Sequence, residues 1–237
     1  MKFKLESCMF KKILFRSLLA VILIIGVLII NLIVAGKRAS IVTEGTAIEK
    51  YNSDNAALLV IDIQEGTTGE VSGIDGYKRA ADDLIQRINT ITEKSDENGI
   101  LVIYIRNAIT NPLINLLNNS MAKGRLGSEL DRRLNIASDH VFSKKKEDAF
   151  SNPNLDSILI KNEISRLFVV GLDAVHCVNS TIEGARNRGY SIAVISDAII
   201  SDPDSMKYQM LERFVSRGVE TLSTEEFIMG LNSSYFP

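Results

Sequence analysis

The chain has 237 residues, of which 46% are hydrophobic and 24% are charged, enough for one substantial hydrophobic core or at most two small ones. Its formal net charge of -2 at pH 7 argues against a nucleic acid partner, because phosphate binding needs a basic face.

The first feature along the chain is an uncharged apolar run from Ser17 to Ala35, SLLAVILIIGVLIINLIVA. It is about as long as a helix needs to cross the hydrocarbon core of a bilayer. Basic residues are denser before the run than after it: Lys2, Lys4, Lys11, Lys12 and Arg16 precede it, and Lys37 and Arg38 follow. The bias predicts a cytoplasmic basic N-terminus at 1–16, a single transmembrane anchor at 17–35 and an extracytoplasmic remainder.

A cleavable signal sequence is the alternative interpretation of this run, and it would make the protein secreted. The run is longer than a typical signal core, and the following IVAGKRAS is a poor small-x-small cleavage site, so the sequence favours an uncleaved anchor. Residues 36–54 are polar without a clear apolar period, which is typical of a linker. The globular domain is predicted over residues 55–237.

Within that domain, short β-rich runs alternate with longer segments of helical period. Ala56–Ile63 (AALLVIDI) is a continuous apolar run, as expected of a strand covered on both faces. Tyr77–Lys94 has apolar residues at three- and four-residue spacings, which predicts a helix with one apolar stripe. Further strands are predicted at 100–105, 141–143, 166–170, 191–195 and 219–222, and further helices at 112–122, from Pro153, and at 177–188, 204–216 and 224–231.

Strands separated by helices predict right-handed crossovers and a mainly parallel sheet between two helical layers, a three-layer α/β/α sandwich. Ligands of such folds bind beyond the carboxyl ends of the strands. Asp62, in LLVIDIQEG, lies near such an end. It is either a carboxylate that caps the next loop or a functional group, and the second role requires a partner because an unpaired buried carboxylate is costly.

A lysine run in VFSKKKEDAF follows another predicted strand. Such a run is usually a solvated surface. In an extended chain, however, Lys144 and Lys146 point one way and Lys145 the other, so one lysine of the run can reach the strand-end cleft.

Cys177 follows a turn in GLDAVHCVNSTIEGARNRGY and is placed where a helix begins. Free backbone N-H groups and the positive end of the helix dipole favour a thiolate there, and a nearby lysine would favour it further. An inert buried cysteine is the alternative.

Together the segments LLVIDIQ, K...DAF and GLDAVHCV...A..RGY resemble, in order and spacing, the isochorismatase-like cysteine hydrolases, the superfamily that includes nicotinamidases and N-carbamoyl amidohydrolases. The resemblance spans about Ala56 to Leu222. It implies a triad of Asp62, Lys144 and Cys177, with Lys146 as the alternative lysine. In that triad Cys177 attacks a carbonyl carbon to form a thioester, Asp62 accepts the thiol proton, and Lys144 holds the thiolate and orients the carboxylate.

The resemblance also implies an oxyanion hole formed by the backbone N-H groups of Asp173 and Cys177, with a cis peptide bond between Leu172 and Asp173. Gln64 is a candidate supporting residue for substrate binding. Arg106 is a candidate for binding a substrate carboxylate, with a structural salt bridge as its alternative.

No metal or other cofactor is expected. Metal-dependent nicotinamidases have an Asp and several His after the first motif, where this chain reads EGTTGEVSG. The only histidines, His140 and His176, are too few for a multi-histidine zinc site. Family members usually assemble as dimers or tetramers, so the resemblance implies a homo-oligomer.

The resulting hypothesis is a membrane-anchored cysteine hydrolase that cleaves an amide or ester bond of a small molecule. Isochorismatases that release pyruvate can dispense with the cysteine, so Cys177 together with both partners favours a C-N or ester bond. Two alternatives stay open: a membrane-tethered binding module with a vestigial triad, and a redox-sensing thiol protein.

Overall fold

The computed structural model describes residues 2–232, with side chains from residue 11 onward. It divides after Arg38 into two compact units. The first is formed by helix α1 (Lys2–Ala39), in which Lys11–Ala39 is long and apolar enough to be a membrane span or a signal sequence. The helix extends past both ends of the predicted 17–35 segment, since the flanking Lys and Arg residues are themselves good helix formers.

Among the described residues, six parallel strands form the sheet of the second unit. They are β1 (Asn55–Ile61), β2 (Leu101–Asn107), β3 (Val141–Lys144), β4 (Ile164–Gly171), β5 (Ser191–Ile199) and β6 (Glu220–Leu222). Their spatial order is β3-β2-β1-β4-β5-β6. Every residue of β1 after Asn55 is buried, which explains its uninterrupted apolar sequence.

Helices cover both faces of this sheet. They are α2 (Asp75–Glu97), α3 (Pro112–Leu117), α4 (Pro153–Lys161), α5 (Asn179–Asn187), α6 (Ser205–Ser216) and α7 (Thr224–Asn232). The apolar stripe of α2 packs with α7 on one face, and apolar residues of α4, α5 and α6 pack on the other. The predicted three-layer α/β/α sandwich is therefore confirmed.

The chain order of the strands opens a crevice at one edge of the sheet. From β1 the chain runs outward to β2 and β3, and then returns to the other side of β1 to form β4. The loops that follow β1 and β4 therefore leave in opposite directions, and this is where ligands bind in open α/β sheets. Asp62 directly follows β1, and Cys177 lies in the loop that follows β4.

Three local features differ from the sequence-based expectations. Helix α3 ends at Leu117 rather than near residue 122, because the Asn118 that follows is extended and caps it. Cys177 lies inside a π-helical turn, Ala174–Val178, and α5 begins only after this turn. Residues 39–48 of the predicted linker contact the second unit: for example, the Ile48 N-H donates to the Arg188 carbonyl at 2.8 Å. That part of the segment belongs to the folded unit.

Candidate active site

Three side chains from separate loops and strands meet at the carboxyl edge of the sheet. Lys144 Nζ lies 2.8 Å from Asp62 Oδ2 and donates to Cys177 Sγ at 2.9 Å. The Lys144 side chain is completely buried and Asp62 is 4% exposed, whereas Cys177 is partly exposed. The structure thus brings together the three residues that the resemblance implies.

Asp62 is positioned by its backbone as well as by its ion pair. Its φ of 56° is left-handed, a conformation that Asp tolerates better than most residues. Its N-H donates to the Ile105 carbonyl at 2.8 Å, and its carbonyl accepts the Thr67 hydroxyl at 2.6 Å. These contacts turn the chain sharply at the end of β1 and direct the carboxylate toward Lys144.

The alternation of side chains along β3 selects one lysine of the run. Lys144 is the last residue of β3, pairs in register with Asn107 of β2, and turns inward. Lys145 is exposed and Lys146 is partly exposed. Of the two candidates that point the same way, the structure places Lys144 beside Asp62, because the chain leaves the extended conformation after it.

Gly171 allows the loop that carries Cys177 to approach β1. Its φ is +116°, and a Cβ atom at this position would lie 2.1 Å from the Ile61 carbonyl oxygen. The next residue, Leu172, donates its N-H to the same carbonyl at 3.0 Å. Only glycine permits so close an approach in this conformation, which brings the π-helical turn next to Asp62.

The segment before Cys177 has the features that the resemblance implies for an oxyanion hole. The Leu172–Asp173 peptide bond is cis. The N-H of Asp173 donates no hydrogen bond to any described residue, so it is available to a ligand. Its side chain, in contrast, is fully engaged: Oδ1 accepts the Val175 N-H at 2.7 Å, and Oδ2 accepts the hydroxyls of Ser201 at 2.7 Å and Tyr77 at 3.0 Å.

Sequence reasoning missed Tyr77 and Ser201. Both lie outside the three motifs, in α2 and after β5, and no local pattern distinguishes them from other polar residues at element ends. Only their contacts with Asp173 reveal them.

Opposing effects set the ionisation of the triad. Burial raises the pKa of the Cys177 thiol, the charge of Asp62 raises it further, and Lys144 lowers it less than the other two raise it. Burial alone would lower the pKa of Lys144, but the charges of Asp62 and Cys177 outweigh that effect and raise it. Burial and Asp62 therefore favour the neutral thiol, whereas the helix dipole and lysine alone favour a thiolate.

Asp62 has a free acceptor for the thiol proton. Its Oδ1 atom is buried and accepts no hydrogen bond from the described residues, while Oδ2 is occupied by Lys144. A carboxylate with one paired and one unpaired oxygen has a position at which it can accept a proton.

The structure gives Gln64 a structural role. The side chain is completely buried, and its amide donates to the carbonyls of Asn107 and Ser128, both at 2.9 Å. Its oxygen accepts the Asn107 N-H at 2.7 Å. Gln64 therefore joins the end of β2 to a neighbouring loop, and its supporting role in substrate binding stays a prediction.

The guanidinium of Arg106 forms an ion pair with Glu129 and donates from Nε to the Ser143 hydroxyl at 3.0 Å. These contacts match the structural alternative, and binding of a substrate carboxylate by Arg106 stays a prediction. No group of three or more His, Cys, Asp or Glu side chains suited to a metal ion occurs among residues 11–232.

The chain is similar to known proteins across this whole unit. Residues 56–226 match the model of the isochorismatase domain. An uncharacterized isochorismatase family protein of Bacillus subtilis is 27% identical over 147 residues, which cover 61% of this chain and 73% of that protein. A probable inactive nicotinamidase of Arabidopsis thaliana is 27% identical over 189 residues, 73% of this chain and 94% of that protein.

A solved structure extends the similarity to three dimensions. N-carbamoylsarcosine amidase of Thermoplasma acidophilum superposes with a TM-score of 0.62 at 27% identity, covering 73% of this chain and 98% of the amidase. The resemblance seen in the sequence motifs is thereby confirmed. Since the domain match takes in all six strands described above and the three clustered side chains, the chain belongs to the isochorismatase family.

Proposed function

We propose that this protein is a cysteine hydrolase that cleaves an amide bond of a small molecule through a thioester on Cys177. The observation that carries the proposal is the position of Lys144 Nζ, within 2.9 Å of both the Asp62 carboxylate and the Cys177 sulfur. A core cysteine needs no such partners, and burying two opposite charges beside it carries a desolvation cost that packing of a cysteine does not require.

The reaction follows from the three groups. Asp62 takes the thiol proton while Cys177 Sγ attacks the carbonyl carbon, and the oxyanion accepts hydrogen bonds from the N-H groups of Asp173 and Cys177. When the C-N bond breaks, Asp62 returns the proton to the leaving nitrogen. Asp62 then deprotonates a water that attacks the thioester, which releases the carboxylic acid and restores the thiol.

Lys144 remains protonated throughout this cycle. Its raised pKa keeps it cationic at neutral pH, so it stabilises the transient thiolate and holds Asp62 in place. An amide substrate is favoured over an ester because the similar protein of Thermoplasma acidophilum is named as an amidase.

The two alternative functions are less well supported. The Arabidopsis relative is named as probably inactive, so family membership alone does not imply turnover, and it is the intact ion pair beside a partly exposed thiol that favours catalysis. A redox sensor requires a cysteine with a lowered pKa, whereas burial and Asp62 raise the pKa of Cys177.

Catalysis is tested by turnover of the full-length protein in detergent with nicotinamide, N-carbamoylsarcosine and p-nitrophenyl acetate as probes. We expect Cys177→Ala to lower kcat by about 10³-fold or more, as loss of a nucleophile does in other acyl-transfer enzymes. Acid quenching followed by mass spectrometry should detect an acyl adduct on the peptide spanning residues 167–186.

Cys8→Ser is the matched control, since Cys8 is the only other cysteine of the chain, and it should retain full activity. Turnover that survives in Cys177→Ala would contradict the proposal, as would a folded wild-type protein that hydrolyses no amide or ester.

We also infer that α1 is an uncleaved anchor with a cytoplasmic N-terminus and an extracytoplasmic hydrolase domain. The length and apolar character of Lys11–Ala39 and the basic residues before it support this topology.

A further inference from the structure

Residues 39–48, here termed the N-terminal strap, contact two segments that directly follow triad residues in the chain. One is the loop that follows Lys144, and the other is α5, which follows the π-helical turn of Cys177. The Glu147 N-H of the first segment donates to the Ala39 carbonyl at 2.9 Å. Thr43 contacts both segments at once, through its backbone and its hydroxyl.

On the Lys144 side, Thr43 supplies two of the donors to Asp148. This carboxylate is completely buried, and its Oδ2 accepts the Thr43 N-H at 2.9 Å and the Thr43 hydroxyl at 2.6 Å. Burial raises the pKa of Asp148, and the hydrogen bonds from Thr43 oppose that rise. Without these two donors, Asp148 Oδ2 would be buried without its main hydrogen-bond partners, which would lower the free energy of unfolding.

Asp148 in turn holds the chain immediately after Lys144. Its Oδ1 accepts the Phe150 N-H at 2.9 Å and so caps the 3-10 turn Ala149–Ser151. The Ser151 hydroxyl at the end of that turn accepts the N-H groups of Lys145 at 3.0 Å and Lys146 at 3.1 Å. A continuous series of hydrogen bonds therefore joins Thr43 to the residue next to Lys144.

On the Cys177 side, Thr43 binds the end of α5. Asn187 Nδ2 donates to the Thr43 carbonyl at 2.9 Å, and Arg188 Nη1 donates to the Thr43 hydroxyl at 2.9 Å. Arg188 is 3% exposed, and its guanidinium lies 4.3 Å from the centre of the Phe150 ring. Gly45 has a φ of +69° and lies against Arg188. A Cβ atom at this position would be 2.3 Å from the guanidinium carbon, so the strap is in close contact with Arg188.

We propose that Thr43 is a positioning residue that sets the distance between Lys144 and Cys177 by joining the segments that follow them in the chain. The proposal rests on the proposed function for its catalytic consequence, but the geometry it concerns can be measured without a substrate. According to this proposal, the strap supports the candidate active site. Its polar sequence alone indicates only a linker.

The test is the pH dependence of Cys177 alkylation by iodoacetamide in the full-length protein, measured on the peptide spanning residues 167–186 so that Cys8 does not contribute. Thr43→Val removes the hydroxyl and keeps the side-chain shape. We expect it to move the alkylation midpoint upward by about half a pH unit or more, roughly threefold in thiolate fraction, because Lys144 then stabilises the thiolate less well.

Two further variants make the result specific. Thr43→Ser retains the hydroxyl and should restore the wild-type midpoint. Ser53→Ala removes a comparable bond, from the Ser53 hydroxyl to Glu163 Oε2 at 3.0 Å at the opposite end of the sheet, and should leave the midpoint unchanged. If Thr43→Val fails to fold, Asn187→Ala, which removes only the bond to the Thr43 carbonyl, replaces it.

The proposal would be overturned if the folded Thr43→Val or Asn187→Ala protein had the same alkylation midpoint as Ser53→Ala. A downward shift of the midpoint would overturn it as well. An upward shift in a protein that hydrolyses none of the probes would support the positioning role and refute only the proposed hydrolase activity.

Discussion

Asp62 has two opposing effects on Cys177. Its charge raises the pKa of the thiol and so favours the protonated sulfur, yet in the proposed mechanism the same carboxylate accepts that proton when a substrate binds. Lys144 can stabilise a negative charge on either group, because its raised pKa keeps the ammonium charged next to both. In the proposed mechanism, proton transfer from Cys177 to Asp62 therefore accompanies attack on the substrate.

Replacing Asp62 by Asn should therefore lower the pH midpoint of Cys177 alkylation. The amide keeps the shape of the carboxylate and removes the negative charge, and a neighbouring charge usually shifts a pKa by about one to three units. The same variant should lose amide hydrolysis, because it has no base. The measurement is the iodoacetamide pH profile beside turnover. A midpoint that stays in place or rises would show that Asp62 does not act electrostatically on the sulfur.

At the scale of elements, the first turn of α2 supports the loop after β4. The Tyr77 hydroxyl donates to Asp173 Oδ2, and burial and the Asp173 charge raise the pKa of Tyr77, so the phenol remains a donor across the neutral range. The Ser201 hydroxyl, after β5, donates to the same oxygen. Two elements that are distant in sequence thus fix Asp173, whose N-H is a donor of the proposed oxyanion hole.

We expect Tyr77→Phe to lower kcat by about tenfold while KM changes little, since a small displacement of an oxyanion donor is felt mainly in the transition state. Steady-state kinetics with the best amide probe provides the measurement. Tyr104→Phe is the matched control, because it removes a phenol that bonds the Asn135 carbonyl from within β2, away from the cleft. Equal losses of kcat in the two variants would mean that the effect of Tyr77 is general destabilisation.

At the scale of the whole molecule, the N-terminal strap determines which cleavage positions after α1 would leave the second unit intact. The second unit begins at residue 39, and residues 39–48 are hydrogen-bonded to other parts of that unit. Cleavage of a signal sequence before residue 39 would leave the strap in place, whereas cleavage nearer the predicted start of the domain would remove it. The homo-oligomer that the resemblance implies stays a prediction for light scattering.

If α1 is an anchor, the full-length protein should remain in the membrane pellet after an alkaline carbonate wash and dissolve only in detergent, because an apolar helix of this length is effectively irreversibly inserted. Externally added protease should degrade the hydrolase domain in cells whose outer face is accessible. A processed domain free in the medium would contradict the anchor and support the signal sequence.

The sequence by itself determined the sheet, its helices and the three motifs. The hydrophobic periodicity indicates which residues are buried. The continuous apolar run at 56–63 is typical of a strand covered on both faces. Asp62, Lys144 and Cys177 were recognisable from motif order, and the choice of Lys144 over Lys145 followed from the two-residue period of an extended chain.

Only the tertiary structure decided how these residues are supported. The roles of Gln64 and Arg106, the raised pKa of Cys177, the contact of Tyr77 with Asp173 and the docking of Thr43 all depend on which groups lie within hydrogen-bonding distance. Thr43 and Asp148 are 105 positions apart, and Tyr77 and Asp173 are 96 apart. Local sequence patterns contain no signal at such separations, because burial and pairing arise only when the elements pack.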